Sequence, residues 1–148
     1  MTSAARTLAG GRGVGDVLVL TDPLSFWGGV EPATGAIVDV HHPQRGQVVT
    51  GRVLVMPGGR GSSSSSTALA EAIRLGTAPA AIVLAEPDPI LGLGSIVAGE
   101  LYGLAVPVVV ADEDLYRSVS SGDRVEVEAA SGEAALVRVV GGPHPTAS

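Results

Sequence analysis

Val53-Leu54-Val55-Met56 is an apolar run that ends at Pro57-Gly58-Gly59-Arg60-Gly61, and five serines, Ser62–Ser66, follow it. The next segment, Thr67–Leu75, carries its apolar residues at helical spacing, and a glycine stands directly after it, as at many helix ends. A second apolar run, Ala80–Ala85, lacks the polar alternation of a half-buried strand, so it fits a strand covered on both faces. This order of strand, Gly/Ser loop, helix and strand predicts an α/β fold.

The flanking sequence adds five runs that have the composition of strands and are bounded by turn-forming residues: Val17–Leu20, Ala36–Val40, Val106–Ala111, Val125–Ala129 and Ala134–Val140. Apolar and polar residues alternate in Val125–Ala129, and the following Ser131-Gly132 predicts a hairpin turn. Ile90–Leu101 and Asp112–Val119 are predicted to be helices, and Gly11–Gly15 is predicted to be a turn. We therefore expect a mixed sheet with flanking helices and with antiparallel strands at the ends of the chain.

Length and charge limit the classes of protein to consider. The 148 residues predict a single domain, with a core at about residues 7–140 and flexible ends. A formal net charge of −6 and the absence of Lys argue against binding to nucleic acid or to an acidic membrane. The first ten residues lack the apolar segment of a signal peptide, and no apolar run reaches ~18 residues. We expect a cytoplasmic protein.

The sequence contains no Cys. This excludes disulfides, zinc sites with thiolate ligands and cysteine-ligated iron–sulfur clusters within the chain itself. We therefore expect the chain to bind no metal or cofactor by itself.

The Gly/Ser loop between the apolar run and the helix is the first candidate site. Glycines let a backbone approach a ligand closely, Arg60 can form a two-pronged bond to a carboxylate or phosphate, and a helix N-terminus favours negative charge. The loop lacks the Lys of a nucleotide P-loop and does not match the dinucleotide-binding glycine pattern. A small anion is the expected ligand, and a solvated turn with a serine cap is the alternative.

A second candidate follows Val17–Leu20, where Ser25-Phe26-Trp27-Gly28-Gly29 holds the only Phe and the only Trp of the chain. Two adjacent aromatic residues before a pair of glycines suggest a surface that packs on a ligand or on a partner, and a loop folded over the core is the alternative. His41 and His42 end the run Ala36–Val40, where neighbouring side chains point to opposite faces and make a poor chelating pair. A surface or hydrogen-bonding role is favoured for both, with a substrate contact from His42 as the weaker option.

Taken in order, these segments resemble the small subunit, or swivelling domain, of the aconitase X family of dehydratases. The resemblance spans roughly residues 10–139, almost the whole chain, and the ordered set of motifs is far more specific than any single loop. The segments that carry it are Leu24–Val30, Gly35, Ile37, His42-Pro43, Gly46, Pro57–Ser63, Ala78–Ile82 and Pro107–Val109.

The resemblance implies a swivelling β/β/α fold and a hydro-lyase that dehydrates a small hydroxy-carboxylate, such as cis-3-hydroxy-L-proline or mevalonate 5-phosphate. It also implies a heterodimer in which a large catalytic subunit holds the iron–sulfur cluster and this chain is active only as its partner. The serine after Gly-Arg-Gly is the family's proton acceptor and corresponds to Ser62, although the run of identical serines leaves Ser63 as an alternative. We assign substrate contacts to Arg60, Gly61, Ser63, Ser25, Phe26, Gly28, Gly29 and His42.

Two other functions remain open at this point. Swivelling β/β/α domains also occur in phosphotransfer enzymes, so the chain could be a non-catalytic anion-binding or phosphocarrier module with His41 or His42 as the phosphorylated residue. It could also be a structural partner that closes another subunit's site without contributing a residue. The substrate is open as well; the absence of Lys and Asn indicates a GC-rich genome, which weakly favours the hydroxyproline reaction.

Overall fold

The structure is a computed structural model that describes residues 2–59, 63–130 and 132–142. The strands of this part of the chain are β1 (Thr2–Ala9), β2 (Gly11–Val19), β3 (Val53–Met56), β4 (Ala81–Leu84), β5 (Val108–Val110), β6 (Arg124–Ala129) and β7 (Ala134–Gly141). Its helices are α1 (Phe26–Gly29), α2 (Ser64–Leu75), α3 (Pro89–Tyr102) and α4 (Glu113–Ser118). None of these described helices is both long and apolar enough to cross a membrane.

The strands form a closed barrel in the order β1-β5-β4-β3-β2-β6-β7. The four central strands, β2 to β5, are parallel, whereas β1, β6 and β7 pair with their neighbours in antiparallel fashion. The mixed α/β class, with antiparallel strands at the chain ends and flanking helices, is therefore confirmed. Closure of the sheet by pairing of β1 with β7 was not part of the expectation.

Two hydrophobic clusters lie on opposite faces of the parallel strands. Val53 and Val55 of β3 point into the barrel, where they pack with residues from the antiparallel strands. Leu54 and Met56 point the other way, towards Leu69 and other residues of α2 and α3. All four residues of β3 and all four of β4 are buried. This confirms that strands covered on both faces read as continuous apolar runs.

The three predicted helices are present with slightly different ends. α2 begins at Ser64, three residues before the predicted start, so most of the serine run lies inside the helix. α3 and α4 are capped by carboxylates: Asp88 accepts hydrogen bonds from the first turn of α3, and Asp112 does so for α4.

Two local predictions were wrong. Gly11–Gly15 is not a turn but the first half of β2, paired with β6. Glycine is needed there because a Cβ on Gly13 would lie 1.9 Å from the carbonyl oxygen of Ala80. Ala36–Val40 is not a strand: it makes only isolated bridges, since the turn at 31–35, where Gly35 has φ +76°, and the turn at 39–42 leave too few extended residues between them.

The N-terminal segment contributes more than the sequence indicated. β1 begins at Thr2, five residues before the predicted core, and Ala5 is buried inside the barrel. Because β1 pairs with both β5 and β7, it closes the barrel.

Candidate functional site

The candidate site lies at the carboxyl edge of the parallel strands. β2 and β3 are neighbours in parallel register, with Val17 opposite Val53, so the segments that follow the two strands leave from the same edge. Leu24 and Gly59 form an isolated parallel bridge between these segments. The structure thus brings the Ser25–Gly29 segment and the start of the Gly/Ser loop side by side, at the carboxyl edge of parallel strands, where α/β barrels and sheets bind ligands.

The Ser25–Gly29 segment is a tight turn rather than a regular helix, because Trp27 and Gly28 within it have non-helical backbone angles. Gly28 has φ +80°, which favours glycine, and nothing in the described structure lies within 4 Å of where its Cβ would be. The turn separates the two aromatic side chains. Phe26 is 2% exposed and belongs to the core beneath the helices, whereas Trp27 is 64% exposed.

A pair of hydroxyls joins this turn to α2. Ser25 Oγ donates a hydrogen bond to the carbonyl oxygen of Trp27 at 2.9 Å, which holds the turn closed. The same Oγ lies 3.2 Å from Ser65 Oγ in the first turn of α2. The two hydroxyls are therefore within hydrogen-bonding distance of each other.

Arg60, Gly61 and Ser62, the centre of the predicted anion-binding loop, lie outside the described residues. Of the four site residues predicted in this loop, the structure describes Ser63, which is exposed and occupies the N-cap position of α2. Its hydroxyl makes no capping hydrogen bond within the described structure, while its carbonyl oxygen accepts from Ser66 N at 3.1 Å and from Ser66 Oγ at 2.6 Å. Ser63 thus starts α2 through its backbone and not through its hydroxyl.

A groove of about 630 Å³ lies beside the turn. Its walls are the segment Phe26–Pro32, Val38 and one side of α2, including Thr67 and Glu71. The exposed indole of Trp27 forms part of this wall, and the groove is largely apolar, with the carboxylates of Glu31 and Glu71 among its lining residues. Another open groove, of about 660 Å³, lies between β1, the end of β5 and the β6–β7 turn, and shares no lining residue with the first.

His42 lies beneath the site rather than on its surface. It is 6% exposed; its Nε2 lies 3.2 Å from the carbonyl oxygen of Asp22, and its Nδ1 accepts from Gln44 N at 3.0 Å. Both ring nitrogens are therefore used to hold the segment after β2, with Nε2 as the protonated nitrogen. This arrangement gives no support to phosphotransfer through His42. His41, by contrast, is exposed.

Sequence reasoning missed three residues that build this edge. Gln44 donates from Nε2 to the carbonyl oxygen of Val19 and accepts from Thr21 N at Oε1, which fastens a distant loop to the end of β2. Ser65 and Asp88 contact the site segments from α2 and from the start of α3. The helix spacing could have singled out Asp88 as a cap before Pro89, but no local signal marks Gln44 or Ser65.

The residues of this chain do not fit an iron–sulfur cluster. The sequence has no Cys, and within residues 2–59, 63–130 and 132–142 no group of three His, Asp or Glu side chains is placed to hold a metal ion. Any such cluster would need ligands from another chain.

A family model described as the aconitase X swivel domain matches residues 2–136. The chain is 50% identical over 108 residues to a cis-3-hydroxy-L-proline dehydratase of Pseudomonas aeruginosa, covering 73% of this chain and 19% of that protein. It is 41% identical over 129 residues to the phosphomevalonate dehydratase small subunit of Methanothermobacter thermautotrophicus, covering 86% of this chain and 94% of that subunit.

Among solved structures, the holo-form crystal structure of Thermococcus kodakaraensis aconitase X matches with a TM-score of 0.80 and 32% identity, over 95% of this chain and 98% of the matched chain. The chain thus spans about a fifth of the Pseudomonas relative but nearly the whole of the Methanothermobacter small subunit.

Proposed function

The chain belongs to the aconitase X swivel domain family, and we propose on this basis that it is the small subunit of a heteromeric hydro-lyase that dehydrates a small hydroxy-carboxylate. Ser62 is the proton acceptor in this proposal, with Ser63 as the alternative, and a large partner subunit holds the iron–sulfur cluster. The substrate is of the cis-3-hydroxy-L-proline or mevalonate 5-phosphate type.

The lengths of the relatives support the proposal that this chain works together with a larger catalytic subunit. One relative carries a matching segment within a chain about five times longer than the match, whereas another is a separate subunit matched over 94% of its length. In the Pseudomonas protein the matching segment is part of a much longer chain, and the Methanothermobacter protein is itself named a small subunit. We therefore assign a separate large subunit to this chain.

The observation that carries the proposal is the convergence of two segments that are distant in sequence. The turn that begins at Ser25 meets the first turn of α2 at Ser65, and Leu24 bridges to Gly59. Ser62 lies in the short stretch of chain between Gly59 and Ser65. A substrate beside the Gly/Ser loop would therefore also meet the Ser25–Gly29 turn.

In the proposed reaction, a serine alkoxide removes the proton from the carbon next to the carboxylate. The electron pair of that C–H bond forms the C=C bond as the hydroxyl leaves from the neighbouring carbon. We assign only the proton transfer to this chain, because its residues do not fit the metal cluster.

A serine needs considerable help to act as a base. A helix N-terminus contributes ~0.3–1 kcal/mol, and ~2 kcal/mol at most, in favour of an anion. Since one pKa unit corresponds to about 1.36 kcal/mol, this lowers the pKa of an alcohol by about 1.5 units at best. The remaining stabilisation has to come from positive charge, for which Arg60 and the partner subunit are the candidates. The proposal therefore requires a divided active site.

Reconstitution tests the proposal. The chain would be purified alone and together with a candidate large subunit from the same organism, and each preparation would be assayed for dehydration of both candidate substrates. We expect the single chain to be colourless and inactive and the pair to turn over one substrate. Turnover by the single chain, or a pair that loads its cluster but dehydrates neither compound, would overturn the proposal.

A further inference from the structure

We infer that α3 is a positioning element for the candidate site: Gly94 fixes the first turn of α2 at Ser66, and the Asp88 carboxylate fixes the backbone at Gly59. The inference rests on the proposed function, because it concerns the stretch that contains Ser62. It is carried by two close approaches, one on each side of that stretch: Ser66 against Gly94, and Gly59 against Asp88.

The first approach lies after the loop. A Cβ on Gly94 would stand 2.6 Å from the carbonyl oxygen of Ser66 and 3.1 Å from its Cα, both backbone atoms. Carbon atoms of a side chain do not come this close to a backbone oxygen, so only a glycine at position 94 lets α3 lie against the first turn of α2. Gly94 is itself buried, so a methyl group added there would lie in the packed contact between α3 and α2.

The second approach lies before the loop. Asp88 caps α3 by accepting from Ile90 N at 3.0 Å and Leu91 N at 3.3 Å, both at Oδ1. Its other oxygen, Oδ2, faces Gly59, where a Cβ would stand only 2.0 Å away. The carboxylate that starts α3 therefore also packs against the backbone that leads into the loop.

α3 is well suited to hold this position. Its buried side includes Leu91, Ser95 and Ala98, and Ser95 Oγ exchanges hydrogen bonds with the backbone carbonyl and N–H of Val106, just before β5. The helix is thus tied to the barrel at a residue next to Gly94. Displacement of a catalytic group by about 1 Å can lower the rate of an enzyme about 100-fold, so this placement matters for turnover.

Three glycine-to-alanine variants of the same helix separate positioning from general packing. Gly94→Ala presses on Ser66. Gly92→Ala presses on β1 instead, where its Cβ would lie 3.1 Å from Leu8 Cβ, and Gly99→Ala meets nothing within 4 Å. Each would be measured in the reconstituted complex for kcat and KM, and in the full chain for amide hydrogen exchange of the Ser63–Ser66 turn.

We expect Gly94→Ala to lower kcat about 10- to 100-fold with a smaller change in KM, and to speed exchange in the Ser63–Ser66 turn. Gly92→Ala and Gly99→Ala should retain wild-type kcat and exchange in that turn. The inference is overturned if Gly94→Ala behaves like Gly99→Ala, or if Gly92→Ala lowers kcat as much as Gly94→Ala does.

If Gly94→Ala does not fold, a second set of variants tests the positioning role of α3. Gly59→Ala should lower kcat through the clash with Asp88 Oδ2. Adding Asp88→Ser should restore part of the loss, because serine remains a good helix cap and lacks the second oxygen. Absence of this rescue would contradict the inference. If the wild-type pair shows no turnover, the proposed function fails, while the exchange measurements still judge the positioning by α3.

Discussion

The side-chain oxygens of Ser25 and Ser65 lie 3.2 Å apart, although 40 residues separate them in the sequence. Ser25 also donates to the carbonyl oxygen of Trp27 at 2.9 Å. One hydroxyl therefore closes the turn that presents Trp27 and fastens this turn to the start of α2. The shape of the candidate site depends on this pair.

Ser25→Ala should loosen the turn and weaken substrate binding. Loss of a typical hydrogen bond costs about 0.5–1.5 kcal/mol of unfolding free energy, and we expect a rise in KM that exceeds any fall in kcat. Ser118→Ala is the matched control, since Ser118 Oγ donates to Leu115 O at 2.8 Å in α4. It should show a similar stability loss by urea denaturation with an unchanged KM. Equal KM values for the two variants would count against a role of Ser25 in the site.

Ser62→Ala should abolish most of the dehydration activity without unfolding the chain. Loss of a general base lowers rates by ~10²–10⁴-fold, and exchange of solvent deuterium into the substrate should fall in parallel. Ser63→Ala is the control for the run of identical serines. If Ser63→Ala loses both activities and Ser62→Ala keeps them, the assignment is wrong by one residue; if both variants remain active, the serine-base mechanism is wrong.

Arg60→Lys tests whether the loop recognises a carboxylate or phosphate through two parallel hydrogen bonds. Lysine keeps the positive charge but lacks the planar fork of the guanidinium group, so we expect substrate affinity to fall. The measurement is KM together with the dissociation constant of a non-reactive substrate analogue. Unchanged affinity would show that only the charge matters.

Trp27 should become less exposed when the large subunit binds. It is 64% exposed in the single chain and is the only tryptophan, whereas Phe26 is already buried. We expect its emission to shift to shorter wavelength and its quenching by acrylamide to decrease. The same complex with Trp27→Phe provides the partner's own fluorescence for subtraction. An unaltered Trp27 signal would place the segment away from the interface.

Glu126 should make stability depend on acid pH. Hydrogen bonds from Arg12 and then from Arg138 hold the pKa of this buried carboxyl below its ordinary value. A lowered pKa in the folded state gives stability above the carboxyl's unfolded-state pKa that is lost as the pH falls through the folded-state pKa. Glu126→Gln should therefore lower the urea midpoint at neutral pH, and its difference from wild type should shrink in acid.

Glu128→Gln is the control for this charge cluster. Glu128 is half exposed and lies 3.5 Å from Arg12 Nε, so its loss should have a much smaller effect. If the urea midpoints of the wild type and Glu126→Gln differ by the same amount at neutral and acid pH, the charge of Glu126 does not cause that difference.

Local sequence patterns predicted the strands and helices that depend on near neighbours. Val53–Met56 and Ala81–Leu84 were identified from apolar runs, and the alternation in Val125–Ala129 identified one arm of the β6–β7 hairpin. The same rules were wrong for Gly11–Gly15, where glycine serves a close approach to Ala80 rather than a turn. The composition of a segment does not distinguish these two uses of glycine.

The sequence by itself determined the α/β class, the buried central strands and the membership of the aconitase X swivel family, because periodicity and ordered motifs are properties of neighbouring residues. Tertiary structure alone decided the closure of the barrel, which of the neighbouring Phe26 and Trp27 is buried, and the contacts of Ser25 with Ser65 and of Gly94 with Ser66. The barrel closure and the two contacts join residues tens of positions apart. They arise when packed helices and strands exclude water and fix which side chains meet, which no local pattern encodes.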